Sequence, residues 1–252
     1  MEGPARNMLF SDIHIHALPG VDDGARTMEE TIRLIDAAYR DGVRQLCLTP
    51  HYHPGYFGDN RQAVQEGFAA LQAEARFRWP DLRLALGNEL RFDQNSVSWL
   101  KEHLCRTING TRYVLTDFLE HDDRSFILNA LDQILHAGYV PILAHAERYR
   151  NLSRNLSDIR ACKQKGIPIQ VNAQSVLGRA SFSERSRCRR MLTNRLVDLV
   201  SSDAHDLQRR PPGISSCAEL LKRKYGAECA RILCCENAAR ILDGKTILSN
   251  WS

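Results

Sequence analysis

Five of the nine histidines in this 252-residue chain stand in short polar strings close to carboxylates. His14 and His16 lie in DIHIH, His51 in LTPHYHP, His145 in LAHAER and His205 in SSDAH, with Asp23, Glu89 and Asp203 as acidic companions. One histidine beside an apolar segment is more often a hydrogen-bonded packing residue than a ligand. Five, with three carboxylates, point to a metal site. Imidazole and carboxylate donors without a convincing cysteine contribution suit Mn²⁺, Fe²⁺, Zn²⁺ or Mg²⁺ rather than a structural thiolate zinc. Eight donors are too many for one ion, so two or three ions sharing carboxylates are expected. Closely spaced divalent cations are a recurring device for phosphoester hydrolysis.

Such a site needs elements that carry positions 14 to 205 to one place. Strand-like apolar segments recur at 8–13, 44–49, 82–87, 112–117, 140–144, 168–172 and 197–201, most of them followed by helical periodicity. The clearest helix is 27–41, where Thr27 and Glu30 have capping-box spacing, Met28, Ile32, Ile35 and Tyr39 form an apolar stripe, and Gly42 stops it. Further helices are expected at 59–78, 124–137, 152–165 and 211–226, with a weaker unit at 93–104. Alternating strands and helices imply a parallel sheet. Seven repeats with no Gly/Ser- or Pro-rich linker favour an α/β barrel in a single domain, 1–252, over an open doubly wound sheet. Reacting groups of such a barrel sit on the loops leaving the carboxyl ends of its strands, where these polar strings fall. The i, i+2 spacing of His14 and His16, and of Asp203 and His205, lets each pair aim both side chains one way.

Composition excludes several classes. With 43% hydrophobic and 25% charged residues, the chain reads as soluble and globular. Its longest uninterrupted apolar runs, 68–71 and 232–235, are four residues, so no segment is expected to insert in a membrane. The first ten residues carry an acid and no apolar run, so no signal peptide is expected and the address is cytoplasmic. Thirty-four basic against thirty acidic residues give +4, which demands no nucleic acid. Arg185, Arg187, Arg189 and Arg190 read as a solvated helix face. The eight cysteines include no CxxC and read as reduced and mostly buried.

DIHIHALPGVDDG, LTPHYHP, GNEL, AHAER and SDAH followed by RRPP, in that order from Asp12 to Pro212, resemble the motifs of the PHP (polymerase and histidinol phosphatase) superfamily. LPGVDDG and AHAERY resemble its CpsB/CapC-type bacterial protein-tyrosine phosphatases. The resemblance implies a distorted TIM-like (β/α)7 barrel, the PHP fold, and a metal-dependent protein-tyrosine phosphatase. It makes His14, His16, Asp23, His51, Glu89, His145, Asp203 and His205 ligands of two or three divalent ions, with Glu89 bridging. Mn²⁺ is favoured, with Fe²⁺, Zn²⁺, Mg²⁺ or Co²⁺ as alternatives. The same resemblance assigns Arg148 and Arg210 to the substrate phosphate, which a planar guanidinium grips bidentately, and Arg209 rivals Arg210. The implied substrate is a phosphotyrosine protein: the tyrosine-rich tail of a bacterial tyrosine kinase that controls capsule or exopolysaccharide synthesis. Hydrolysis would be direct, by a metal-activated hydroxide, with no phosphoenzyme.

Some positions depart from the pattern or stay open. Asn88 stands where Met or a similar residue is expected, and Asp117-Phe118 where many relatives read EF. Asp117 either replaces the longer carboxylate or leaves the fourth strand without a ligand. His53 is available as a proton donor, as an outer partner of a ligand, or as a surface histidine. Tyr56 and Phe57 either flank the substrate ring or pack. The CxxxxxR spacing of cysteine-dependent phosphatases occurs twice, Cys217 to Arg223 and Cys234 to Arg240, but both segments lack glycine and read as helix. The alternative within the superfamily is a small-molecule phosphatase of the histidinol-phosphate kind, then a phosphodiesterase or nuclease. A degenerate metal-binding scaffold is the non-enzymatic reading. An open, partly apolar mouth would favour a peptide tyrosine; a deep acidic site, a cationic metabolite.

Overall fold

The computed structural model describes residues 8–249 and 251. The signal-peptide reading rests partly on residues 1–7, outside the described residues. Among the described residues, nine short strands form seven staves. The first is β1 (Phe10–Ile15); the second is β2 (Val43–Leu48) continued by β3 (His51–Tyr52); the third is β4 (Arg83–Leu86) continued by β5 (Glu89–Arg91). Staves four to seven are β6 (Tyr113–Asp117), β7 (Val140–Leu143), β8 (Gln170–Asn172) and β9 (Leu199–Ser201). All pairings are parallel: β1 with β2, β2 with β4, β3 with β5, β5 with β6, β6 with β7 and β8 with β9. Bridges between Leu143 and Ile169 and between Ile15 and Ala204 join the remaining neighbours, so the ring closes. The expected barrel of seven is the observed architecture, and the open sheet is excluded.

The second and third staves run on past the expected segments 44–49 and 82–87, each after a break. Pro50 has no N–H to donate, and its carbonyl instead accepts from Glu89 N (3.1 Å) and Asn88 Nδ2 (3.0 Å). Asn88 Oδ1 also accepts from Arg106 N, so this buried amide stitches the break.

The helices are α1 (Met28–Arg40), α2 (Pro54–Phe57), α3 (Arg61–Arg78), α4 (Ser96–Lys101), α5 (Arg124–His136), α6 (Arg150–Ser153), α7 (Leu156–Gln164), α8 (Ala173–Val176), α9 (Phe182–Thr193), α10 (Ile214–Tyr225), α11 (Ala227–Arg231) and α12 (Asn237–Leu242). In α1 the Thr27 hydroxyl caps Glu30 N as expected, but the Glu30 carboxylate takes Arg26 N, so the box is only half formed. Its buried face is Thr31, Leu34, Ile35 and Ala38, with Ile32 and Tyr39 at the margin. In α9 the arginine cluster is not wholly solvated: Arg187 is buried and its Nε donates to Glu147 O.

Stave residues alternate between two apolar layers. Leu46, Leu48, Val114, Leu143, Val171 and Val200 face the helices, whereas Cys47, Ala85, Leu115, Ile142 and Leu199 fill the barrel with Ala238, Ile241 and Leu242 of α12. That helix plugs the end opposite the histidines. No helix among the described residues is long and apolar enough to cross a membrane.

Candidate metal centre

The barrel-facing parity that buries Cys47 and Leu115 carries on to His51, Glu89 and Asp117 at the other end. Register confirms the alignment: His51 lies opposite Glu89, and Arg91 opposite Asp117. The first stave would point the wrong way after Ile13, which packs inside. A register shift between Asp12 and Ile15 changes its parity, so His14 and His16 turn inward as well. Bulges at barrel rims re-aim side chains in this manner. His145 (φ 29°) and Asp203 (φ 52°) hold left-handed backbone just beyond their strands, a sparsely populated region for residues with side chains.

All eight sequence-derived donors meet. Glu89 Oε2 lies 3.3 Å from His14 Nε2, 3.1 Å from His16 Nε2 and 3.1 Å from His51 Nδ1; Glu89 Oε1 lies 2.8 Å from His145 Nε2. Asp203 Oδ1 is 3.3 Å from His14 Nε2 and 3.5 Å from His16 Nε2. Asp23 Oδ1 is 3.3 Å from His205 Nε2 and 3.6 Å from His51 Nε2. Four overlapping sets have donor atoms close enough for one ion: His16, Asp23, His51 and His205; His14, His16 and Glu89; His14, His145 and Asp203; and His51, Glu89 and Asp117. The fourth stave thus brings Asp117 to the cluster.

Apart from half-exposed Asp23, these donors are buried, where unpartnered charge is costly. Burial pulls the His14 and His16 imidazoles down, but Glu89 and Asp203 beside His14, and Asp22 beside His16, outweigh it and hold both above the ordinary histidine value. Burial wins at His51, which is lowered, and at His205, pulled down to about 4. Burial opposes ionisation of Glu89 and Asp203, yet the histidines, with Arg148 beside Asp203, hold both well below the carboxylate range. His51 Nδ1 and His205 Nε2 are buried with no hydrogen-bond partner. Neutral ring nitrogens facing ionised carboxylates are the donor set a divalent cation requires, and the residues fit such ions.

The chain matches, over residues 10–243, the family described as capsular polysaccharide synthesis, CpsB/CapC. This chain belongs to the CpsB/CapC family. Tyrosine-protein phosphatase CpsB of Streptococcus agalactiae serotype III (strain NEM316) is 33% identical over 92% of this chain and 97% of its own length. Tyrosine-protein phosphatase YwqE of Bacillus subtilis (strain 168) is 30% identical over 94% and 92%. Crystal structures of YwqE from Bacillus subtilis and CpsB from Streptococcus pneumoniae are described as unique metal-dependent tyrosine phosphatases. One of those chains superposes with TM-score 0.86 at 28% identity, covering 94% of this chain and 96% of the other. A phosphotriesterase homology protein from Escherichia coli, at TM-score 0.58 and 11% identity, shares the fold.

Around this CpsB/CapC centre the structure adds residues that the motifs leave unmarked. Asp22, not its neighbour Asp23, accepts from His16 Nδ1 (2.7 Å) and from His51 N (3.0 Å). Gln170 Oε1 meets His14 Nδ1 (3.2 Å) and accepts from His145 N (2.7 Å), while Gln170 Nε2 donates to Asn172 Oδ1. Asn172 Nδ2 donates to Asp203 Oδ2 (2.8 Å). The Tyr149 hydroxyl sits 3.1 Å from both His145 Nδ1 and Asp117 Oδ1. Partners of this kind fix the tautomer and orientation of metal-binding rings. The available signal was the alternation of Gln170 and Asn172 on one face of an otherwise apolar strand.

Arg148 and Arg210 line the cavity over the donor cluster, and Arg209 does not. Arg148 Nη2 donates to Asp203 Oδ2 (2.6 Å), and Arg210 Nη2 to Asp23 Oδ2 (3.1 Å). Both line a cavity of about 210 Å³ over Glu89, His145 and Asp203, with Phe118 and Leu119 as its apolar wall. Arg209 is exposed and lines neighbouring grooves instead. His53 turns toward Asp93 and packs on Tyr56 and Trp99. Phe57 stacks on His51, and Tyr56 is exposed beside Arg91, so neither lines the cavity. Cys217 lies in α10 and Cys234 in the π-helical turn Ile232–Glu236; both are buried, and neither heads a phosphate loop.

Proposed function

We propose that this chain is a metal-dependent protein-tyrosine phosphatase acting as one PHP phosphatase domain in the cytoplasm. Its substrate is the phosphotyrosine-bearing tail of a bacterial tyrosine kinase that regulates capsule or exopolysaccharide synthesis. The observation that carries this reading is the convergence of five histidines and their carboxylates beneath two guanidinium groups, in a family whose named relatives are tyrosine phosphatases.

His14, His16, Asp23, His51, Glu89, His145, Asp203 and His205 hold two or three divalent ions, Mn²⁺ favoured, and Asp117 joins them. Such ions supply Lewis acidity and bring the pKa of bound water toward neutrality. Arg148 and Arg210 grip the phosphoryl oxygens, whose negative charge is what phosphoryl transfer must stabilise. Asp203 orients the Arg148 guanidinium, and with Glu147 it outweighs burial and raises that group's pKa, so it stays charged. Tyr149, held protonated by burial and by neighbouring carboxylates, fixes the His145 ring. The leaving phenol, with a pKa of about 10, asks little of a proton donor, consistent with His53 turning elsewhere. Phe118 and Leu119 offer the ring an apolar wall. A groove of about 660 Å³ beside Asp23 and His205 gives the peptide room.

The test is chelator-treated protein reloaded with single ions and assayed on phosphotyrosine peptides, histidinol phosphate and a nucleic-acid diester. Metal-dependent turnover highest on the peptides is expected. Preference for histidinol phosphate would replace this reading with the small-molecule alternative.

A further inference from the structure

A second cavity, of about 190 Å³, adjoins the catalytic one across Arg148, Asp203 and Arg210. Arg179 and Arg209 also line it, though they do not line the catalytic cavity. Two acids border it, and both are engaged: Asp203 with Arg148 and Asn172, and Glu184 with Ser181 N at the start of α9. Elsewhere exposed arginines near acids pair with them, as Arg26 does with Glu30 and Arg83 with Asp243. Among the described residues, the guanidinium groups of Arg179 and Arg209 have no such partner. The Gln174 amide, which could otherwise turn into this space, donates to Pro211 O and ties the α8 segment to the loop bearing Arg209 and Arg210.

With four guanidinium groups, those of Arg148, Arg179, Arg209 and Arg210, against the two carboxylates in its wall, the cavity beside the phosphoryl site keeps a net positive potential that a second anion would relieve. We propose that Arg179 and Arg209 form a specificity subsite for an anionic group flanking the phosphotyrosine, the carboxylate of an acidic residue or a second phosphate on the same peptide. The inference rests on the phosphatase reading and names the substrate class that reading leaves open. Arg148 and Arg210 hold the reacting phosphate, and Arg179 and Arg209 select the sequence around it.

The experiment uses the manganese-loaded full chain and three phosphotyrosine peptides of one length, with a neutral, a glutamate or a phosphotyrosine flank, and p-nitrophenyl phosphate as a substrate without a flank. The expected wild-type result is a KM roughly tenfold lower for a charged flank, a difference of about 1.4 kcal/mol in binding. Arg179→Ala with Arg209→Ala should abolish that preference and leave p-nitrophenyl phosphate turnover unchanged. Arg179→Glu should reverse it, a readout that a purely structural role would not move. A lower KM for glutamate alone identifies the carboxylate source; for the phosphorylated flank alone, the phosphate source; for both, a subsite that reads charge. No preference in the wild type, or one that survives in the double variant, overturns the subsite while leaving the phosphatase standing. No turnover of any phosphotyrosine substrate overturns both.

Discussion

Glu89 offers its two oxygens to four imidazoles, more histidines than any other described carboxylate reaches. Glu89→Gln keeps the shape and removes the charge that holds the cluster together. Loss of an outer-sphere partner already weakens metal sites by 10- to 100-fold, so removal of this carboxylate should weaken metal affinity by at least about 100-fold, read by metal titration of the purified variant. Arg148→Lys keeps the charge and loses the fork, and kcat/KM on phosphotyrosine peptides should fall about 100-fold. Cys217→Ser and Cys234→Ser should retain turnover; loss there, with activity kept in Glu89→Gln, would overturn the metal mechanism. At this scale the sequence was legible wherever residue type is diagnostic. His14, His51 and Glu89 announce themselves, whereas Asp22, Gln170 and Tyr149 act through directed hydrogen bonds, which only the assembled geometry reveals.

Between residues and barrel lies the loop that returns from the first strand. Gly24 packs against His16, whose Cβ would lie 2.6 Å from an added methyl group. Gly24→Ala should therefore cost about 2 kcal/mol and displace Asp22 and Asp23, lowering activity in protein that still folds. At the opposite end Asp198 pairs with Lys163 and accepts from Ile169 N (2.9 Å), tying the approaches to staves six and seven. Asp198→Ala strands the Lys163 cation and should lower unfolding free energy by about 3 kcal/mol with the metal site intact. Periodicity located all seven staves because burial imposes it, but the short strands β3 and β5, which continue two of them past Pro50 and Gly87, follow from cross-strand hydrogen bonds that no single segment encodes. The arginine-rich face of α9 was read as solvated, whereas Arg187 occupies the helix's buried stripe beside Cys188, Met191 and Leu192.

The molecule as a whole couples protons to metal. With His14 and His16 held above the usual histidine value, protons compete for those rings from above pH 6.5 downward. Raised values favour the protonated ring below them, so metal binding should weaken as pH falls through that range. Calorimetric titration of chelator-treated protein should show proton release near pH 7 and markedly weaker binding near pH 5.5 than near pH 8. Ring closure has a consequence for how the enzyme comes into being. Staves one and seven are joined by His16 N to Ala204 O (2.9 Å) and Asp203 N to His14 O (2.8 Å), so the seam of the barrel and the centre of the site are the same residues. A nascent chain emerging from the ribosome carries its first two histidines long before their partners exist. The site stays incomplete until the seventh stave has been synthesised and docked, so dephosphorylation cannot begin before then.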